Sequence, residues 1–270
     1  MTDELLVEQE GFVATISLHR PANRNAWNAS METGLRQLIA RLAADPGVRV
    51  IVLTGTGPVF CVGVDASALG GMARGGPDVS VPPATVAEAM GTGDFDQRYS
   101  YLLAVPKLLI CALNGAAAGV GLVLSLYCDI RYASSSAKLA APFGRRGLVA
   151  EHGIAWLLPR LIGMSRAIEW MLGARTLSAV EAREIGLVSE VFEPQDFASK
   201  VLERAMDIAQ NVSPRSIRVM KRQLWEAALQ PLSHASLVAE KEVRQAVASQ
   251  DFAEGVRHFV DKRPPRFTGN

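Results

Sequence analysis

The sequence predicts a layered α/β fold whose final third is helical, and three patterns carry that prediction. Between residues 11 and 57 an alternating strand, an amphipathic helix and a β-branched strand follow one another, the order of a right-handed crossover layer. From about residue 151 onward the pattern is almost wholly helical, with one strand-like interruption. Between them lies an uncharged stretch, "LLICALNGAAAGVGLVLSLYC" (108–128), whose first half is β-friendly and whose second half is small and Gly-rich. It reads as strand, turn and helix.

In chain order, "GFVATISLHRP" (11–21) alternates apolar residues and is ended by Pro21. "NASMETGLRQLIARLAADPG" (28–47) is an amphipathic helix, capped by Asn28 or Ser30 and stopped by Asp45-Pro46-Gly47. "VRVIVLTGTG" (48–57) is a short buried strand with a glycine turn. Residues 70–95 are rich in Gly and Pro and hold little core material, which predicts a surface loop with one short helix, of the length that functional lids have. "RYSYLLAV" reads as a helix into Pro106, and "KLLICAL" as a buried strand. Asn114-Gly115 turns the chain, and "GVGLVLSLY" has no polar face, so that helix must be buried. "CDIRYAS" and "AKLAAP" look like paired short strands. Helices follow over 151–161, 164–173, 178–185, 195–209, 213–229, 232–248 and 250–260, with "GLVSEVFEP" (186–194) as the strand-like break. The division is a core over 1–195 and a helical region over 196–270, whose last helices carry apolar faces that one subunit has little left to cover.

Composition narrows the function. Of the 270 residues 49% are hydrophobic, enough for a sizeable core, and the formal net charge of +1 without a long basic run gives nucleic-acid binding no electrostatic support. Cys61, Cys111 and Cys128 all sit in apolar runs at spacings that match no zinc site, so reduced thiols in a cytoplasmic protein are expected, with no metal. The start "MTDELLVEQEG" lacks the apolar run of a signal peptide. Residues 108–128 are long enough to span a membrane, but Lys107 and Asp129-Ile130-Arg131 flank them without aromatic belts, no second span exists, and the strand–turn–helix reading argues against one.

Five stretches then accumulate into a resemblance: "LHRPANRNAWN" (18–28), "VIVLTGTGPVFCVGVDASAL" (50–69), "KLLICALNGAAAGVGLVLSLYCDIRYAS" (107–134), "LSAVEAREIGLVSEVF" (177–192) and "DFAEGVRHFVDKRPPRF" (251–267). In this order, and over nearly the whole chain, they resemble the crotonase, or enoyl-CoA hydratase/isomerase, superfamily. The resemblance implies a spiral core of ββα turns, a C-terminal helical trimerisation region, a homotrimer or dimer of trimers, and acyl-CoA thioesters as substrates, with CoA part of the substrate and no separate cofactor.

It also implies a site. The oxyanion donors would be the N–H groups of Val64, in "VGVD", and Val120, in "GVG", with Gly63, Gly119 and Gly121 letting backbone approach the substrate. A helix start presents unpaired N–H groups and the positive end of its dipole, which suits an enolate oxygen. The bland alternative is that these glycines only permit tight packing. The two glutamates of family hydratases would fall at Val123 and Phe143, neither of which can move a proton. Glu151, in "RRGLVAEHGIAWLLPRLIG" (145–163), falls where several non-hydratase members carry their reactive acid, against the alternative of a first-turn helix glutamate. His152 is read as structural or solvated, with a role beside Glu151 as the sharper alternative. His19 is read as structural, Asp65 as a turn or cap residue, and Arg145 and Arg146 as a solvated face. CoA contacts are expected from Arg24, Ala26 and the backbone around Val64 and Ala66, with Phe143 near the acyl group. Lys262 has two readings, a contact to the 3′-phosphate of CoA held by the adjacent subunit and an exposed helix-end charge.

Overall fold

The computed structural model describes residues 3–76, 78 and 81–270. Two sheets share the strands. The larger has the order β1 (Leu5–Glu10), β2 (Val13–Leu18), β3 (Val50–Gly55), β5 (Leu108–Leu113), β7 (Ile130–Ser134) and β10 (Glu190–Phe192), all parallel except the β1–β2 hairpin. The smaller has β4 (Val59–Cys61), β6 (Ala116–Ala118), β8 (Lys138–Ala140) and β9 (Thr176–Ser178). Each pair β3–β4, β5–β6 and β7–β8 steps from the large sheet to the small one before helices return the chain. This is the ββα spiral expected from the resemblance.

The two short strands read as a pair belong to different sheets. β7 lies between β5 and β10 in the large sheet, while β8 lies between β6 and β9 in the small one. A turn closed by Ala137 N–H on the Ser134 carbonyl redirects the chain between them. Strands β1, β4, β6 and β9 were not foreseen. The last three have only three residues each, and β6 is all alanine, a residue with little strand preference.

The helices are α1 (Ala29–Ala44), α2 (Ala66–Ala73), α3 (Ala84–Glu88), α4 (Tyr101–Ala104), α5 (Val120–Leu126), α6 (Ile154–Ile162), α7 (Met164–Gly173), α8 (Ala179–Glu184), α9 (Phe197–Asn211), α10 (Pro214–Ala227), α11 (Leu232–Val247) and α12 (Gln250–Asp261). Asn28 caps α1, its side chain accepting from Met31 N–H at 2.8 Å. The segment 70–95 holds the end of α2 as well as α3, more helix than expected, and "RYSYLLAV" is helical only over α4. The seven residues of α5 are all buried, and no helix among the described residues is long and apolar enough to cross a membrane.

Strand β3 shows how the core is layered. Ile51 and Leu53 face the main core with α1 and α5, while Val50 and Val52 face a second core made with Phe197, Val201, Ala205 and Ala209 of α9. Both faces are covered, so the strand reads as an unbroken apolar run. Beyond α9, Leu224, Leu232, Leu237, Phe259 and Val260 remain exposed.

Candidate active site

The parallel pairing of β4 with β6 sets Val59 opposite Ala116 and Cys61 opposite Ala117. The loops that leave these strands therefore run side by side, and the two glycine motifs meet. Gly63 has φ +91°, and a Cβ there would lie 3.0 Å from the Ala118 carbonyl oxygen and 3.6 Å from Gly119 Cα. Gly119 (φ 52°, ψ −123°) precedes α5 in a conformation that glycine alone enters readily. A Cβ on Gly121 would stand 2.3 Å from the Cys61 carbonyl oxygen. Side chains are excluded, so two main-chain segments come into contact.

Val64 and Val120 follow that contact directly. Trp27 aligns with Val64 in a parallel bridge, donating its N–H to the Gly63 carbonyl at 2.8 Å. Among the described residues the Val64 N–H has no backbone acceptor. Val120 is the first residue of α5, so its N–H has no acceptor within the helix. Each N–H thus stands one residue past the Gly63–Gly119 contact, and a convergent pair of such donors is the kind of set that stabilises charge on a carbonyl oxygen.

Glu151 lies in the loop before α6, not in its first turn as the helical reading had it, because Gly153 (φ 78°) caps the helix and Ile154 begins it. His152 is held at φ 55°, and Tyr127 at the end of α5 donates its hydroxyl to the His152 carbonyl at 2.9 Å. α5 thus starts at Val120 and ends against the Glu151–His152 turn. The Glu151 side chain is 21% exposed. Burial pushes its carboxyl above the ordinary range, Arg98 opposes that, and Asp78 adds to it. Burial, reinforced by Arg98 and opposed by Glu32, pulls the His152 imidazole down to about 4, so at neutral pH it carries no charge beside Glu151, 3.7 Å away. His152 is therefore not solvated: its side chain is 8% exposed and meets the Tyr99 ring edge-on at 5.3 Å.

A buried cluster behind this turn escaped the sequence reading. Glu32, 3% exposed, accepts from Arg98 Nε and Nη2 at 2.5 Å each, from the Tyr99 hydroxyl at 3.2 Å and from Trp27 Nε1 at 3.3 Å. The signal was present: Glu32 stands three and seven residues before Leu35 and Ile39, on the buried stripe of α1. Trp27 touches both halves of the site, pairing with Val64 through its backbone and with Glu32 through its indole.

A profile of the enoyl-CoA hydratase/isomerase family matches residues 8–270. The protein belongs to that family. It is 32% identical to the 1,2-epoxyphenylacetyl-CoA isomerase of Escherichia coli, each chain covered in full, and 35% identical to a probable enoyl-CoA hydratase of Rhodobacter capsulatus over 95% of each. Among solved structures it is similar to a probable enoyl-CoA hydratase/isomerase from Mycobacterium abscessus, with a TM-score of 0.87, 34% identity and 99% of each chain covered. Crotonase-superfamily membership and an acyl-CoA thioester substrate class follow from these likenesses.

Val123 and Phe143, where the resemblance would put the two hydratase glutamates, are buried in the main core. Phe143 also lines an apolar cavity of ≈ 510 Å³ with α6 and α7. The Arg24 loop is built on two left-handed residues, Arg24 and Asn25. The fully buried Asn25 side chain donates to the Thr56 and Val59 carbonyls at 3.0 and 2.7 Å and accepts from Arg20 N–H at 2.9 Å. Arg24 is exposed, while Ala26 is buried and its carbonyl accepts from Arg20 Nη1 at 2.6 Å. Asp65 caps α2 as expected, accepting from Ser67 N–H at 3.0 Å, and lies 3.6 Å from Arg20. Ala66 opens that helix, and its side chain lies outside the described residues. His19 bonds Thr56 Oγ1 at 3.2 Å, and Arg145 and Arg146 are exposed. Lys262 adopts φ 50° as the C-cap of α12, away from the glycine junction in sequence and on the helical tail. No cluster of metal-ligating side chains occurs among the described residues.

Proposed function

We propose that this chain moves a double bond in an enoyl-CoA thioester by one-base proton transfer, with Glu151 as the base and the Val64 and Val120 N–H groups as the oxyanion hole. The observation that carries this reading is the placement of acids: Val123 and Phe143 replace the hydratase pair, while Glu151 sits half-shielded with its carboxyl raised toward neutrality. Such a group takes a proton from the carbon next to the thioester carbonyl. The electron pair moves onto the carbonyl oxygen, where the two N–H groups hold the dienolate, and the Glu151 proton is then returned at the γ-carbon. Removing one oxyanion donor typically costs on the order of 10²–10³ in turnover. The Arg24–Ala26 loop, the backbone at Gly63 and Gly119, and Lys262 of a neighbouring subunit are the proposed CoA contacts, and CoA serves as part of the substrate with no further cofactor. The family resemblance and the exposed apolar residues of the tail support a trimer or dimer of trimers, and three free, buried cysteines support a cytoplasmic setting.

Incubation with a panel of 2-enoyl-, 3-enoyl- and dienoyl-CoAs, followed by mass spectrometry and NMR, tests it. Double-bond migration without mass change is the expected result. Addition of water at the rate of a two-glutamate enzyme would return the chain to the hydratases that several of its relatives are named for, and release of free CoA would point to attack at the acyl group.

A further inference from the structure

We propose that Arg98 is a positioning residue for Glu151: clamped on the buried Glu32 carboxylate, its guanidinium holds a fixed positive charge against the Glu151–His152 turn. This deepens the reading of Glu151 as the base and rests on it. The geometry begins at α1, where Glu32 receives two hydrogen bonds of 2.5 Å from one guanidinium, while the Tyr99 hydroxyl and the Trp27 indole donate to its Oε2. A two-point fork fixes the plane of the guanidinium, which a single contact does not. The segment bearing Arg98 has no regular structure but is tied down on both sides. Gln97 N–H donates to Ser100 Oγ at 3.1 Å, and the Gln97 amide donates to the Gly91 and Gly93 carbonyls at 2.8 and 2.9 Å. Arg98, Tyr99, Tyr127 and His152 line one cavity of ≈ 380 Å³, so the segment before α4 and the turn before α6 share its walls.

A buried ion pair is a poor investment in stability alone, since apolar residues of similar volume often serve as well. Its position suggests what else it does. His152 lies 3.7 Å from Glu151 in its own turn, and the charges that act on Glu151 are Arg98, from the segment before α4, and Asp78, ahead of α3. Glu32 of α1 lies behind Arg98, and the Tyr99 and Tyr127 phenols flank His152. His152 is neutral at neutral pH, and burial raises both phenols, so Arg98 is the cation of this set. It holds Glu151 toward the ionised form that accepts a proton, against burial and Asp78. Although burial works against the guanidinium too, the Glu32 bonds keep it charged.

The test uses the full-length protein with 13C-labelled glutamate carboxyls, the Glu151 resonance being identified as the one lost in Glu151→Gln. In Glu32→Met/Arg98→Met, which removes both charges and leaves no buried one unpaired, the Glu151 titration midpoint should move to higher pH. An unchanged midpoint in the folded double variant overturns the inference. Arg98→Lys keeps a charge but loses the fork. With vinylacetyl-CoA as probe it should lower kcat several-fold with little change in KM, while the midpoint stays nearer the parent's than the double variant's. Parent-like kcat in Arg98→Lys would also overturn it. Turnover of the same probe by Glu151→Gln tests the base reading separately: activity there sinks the base, whatever the titration of the double variant shows.

Discussion

Glu151 and His152 are neighbours whose burial acts on them in opposite senses. Burial disfavours charge on both, so the carboxyl is raised and the imidazole lowered. For Glu151 the consequence is kinetic: turnover by the deprotonated base should fall as pH drops through a midpoint above the ordinary carboxylate range, read as the acidic limb of kcat against pH. Replacing Glu151 with glutamine should lower turnover by about 10²-fold or more. CoA-thioester affinity should stay within a few-fold, and exchange of substrate protons with deuterated solvent should vanish. For His152 the consequence is thermodynamic. Its folded value, about 4, lies below its ordinary 6.5, so the unfolded chain binds the extra proton first. Stability should therefore be lost as pH falls from about 6.5 toward 4, by a maximum of about 3 kcal/mol, and His152→Asn should flatten urea-unfolding midpoints across that window. A parent-like slope in that variant would assign the acid sensitivity elsewhere. At this scale the sequence offered Glu151 as the candidate base through its place in a family motif. It did not disclose the Glu32–Arg98 pair, since a glutamate in the first turn of a helix and an arginine 66 positions later carry no sign of meeting.

Among the elements, helices were legible to within a few residues because their apolar periodicity is local, as α7 shows by ending where its pattern does. Short strands were not, because membership of one sheet or the other is decided by partners far along the chain. The β4–β6 pairing depends on glycines. Gly121→Ala would drive a Cβ into the Cys61 carbonyl and should destabilise the fold by about 1–3 kcal/mol, read from a denaturant midpoint. The attachment of the helical tail rests on another pair. Lys221 of α10 lies 2.8 Å from Asp129 and donates to the Leu102 and Lys107 carbonyls at 3.2 Å, in a site that is nearly closed to water. Lys221→Met leaves Asp129 buried without its partner and should cost about 3–5 kcal/mol, whereas Lys221→Met/Asp129→Leu should recover much of that. Equal urea midpoints for the single and double variants would show that the charge is not what matters there.

For the whole molecule, the tail leaves large apolar residues exposed, Leu224, Leu232, Leu237 and Phe259 among them, and a contiguous surface of that kind is what a subunit interface covers. Light scattering at micromolar concentration should return a trimer or hexamer, and a species of 29.0 kDa alone would contradict it. The layered core and its helical tail could be read in the sequence because they rest on segregated patterns. The site could be read only in part, because it is gathered from segments near residues 27, 64, 98, 120 and 151, and half of what they contribute is main chain. That half is invisible to a common way of mapping enzymes. Val64→Ala and Val120→Ala each keep the N–H proposed as an oxyanion donor, so an alanine scan would miss that role and register the buried Val120 only as lost packing. Amide-to-ester substitution at the same two residues, which deletes the hydrogen and spares the side chain, is the scan that would find them.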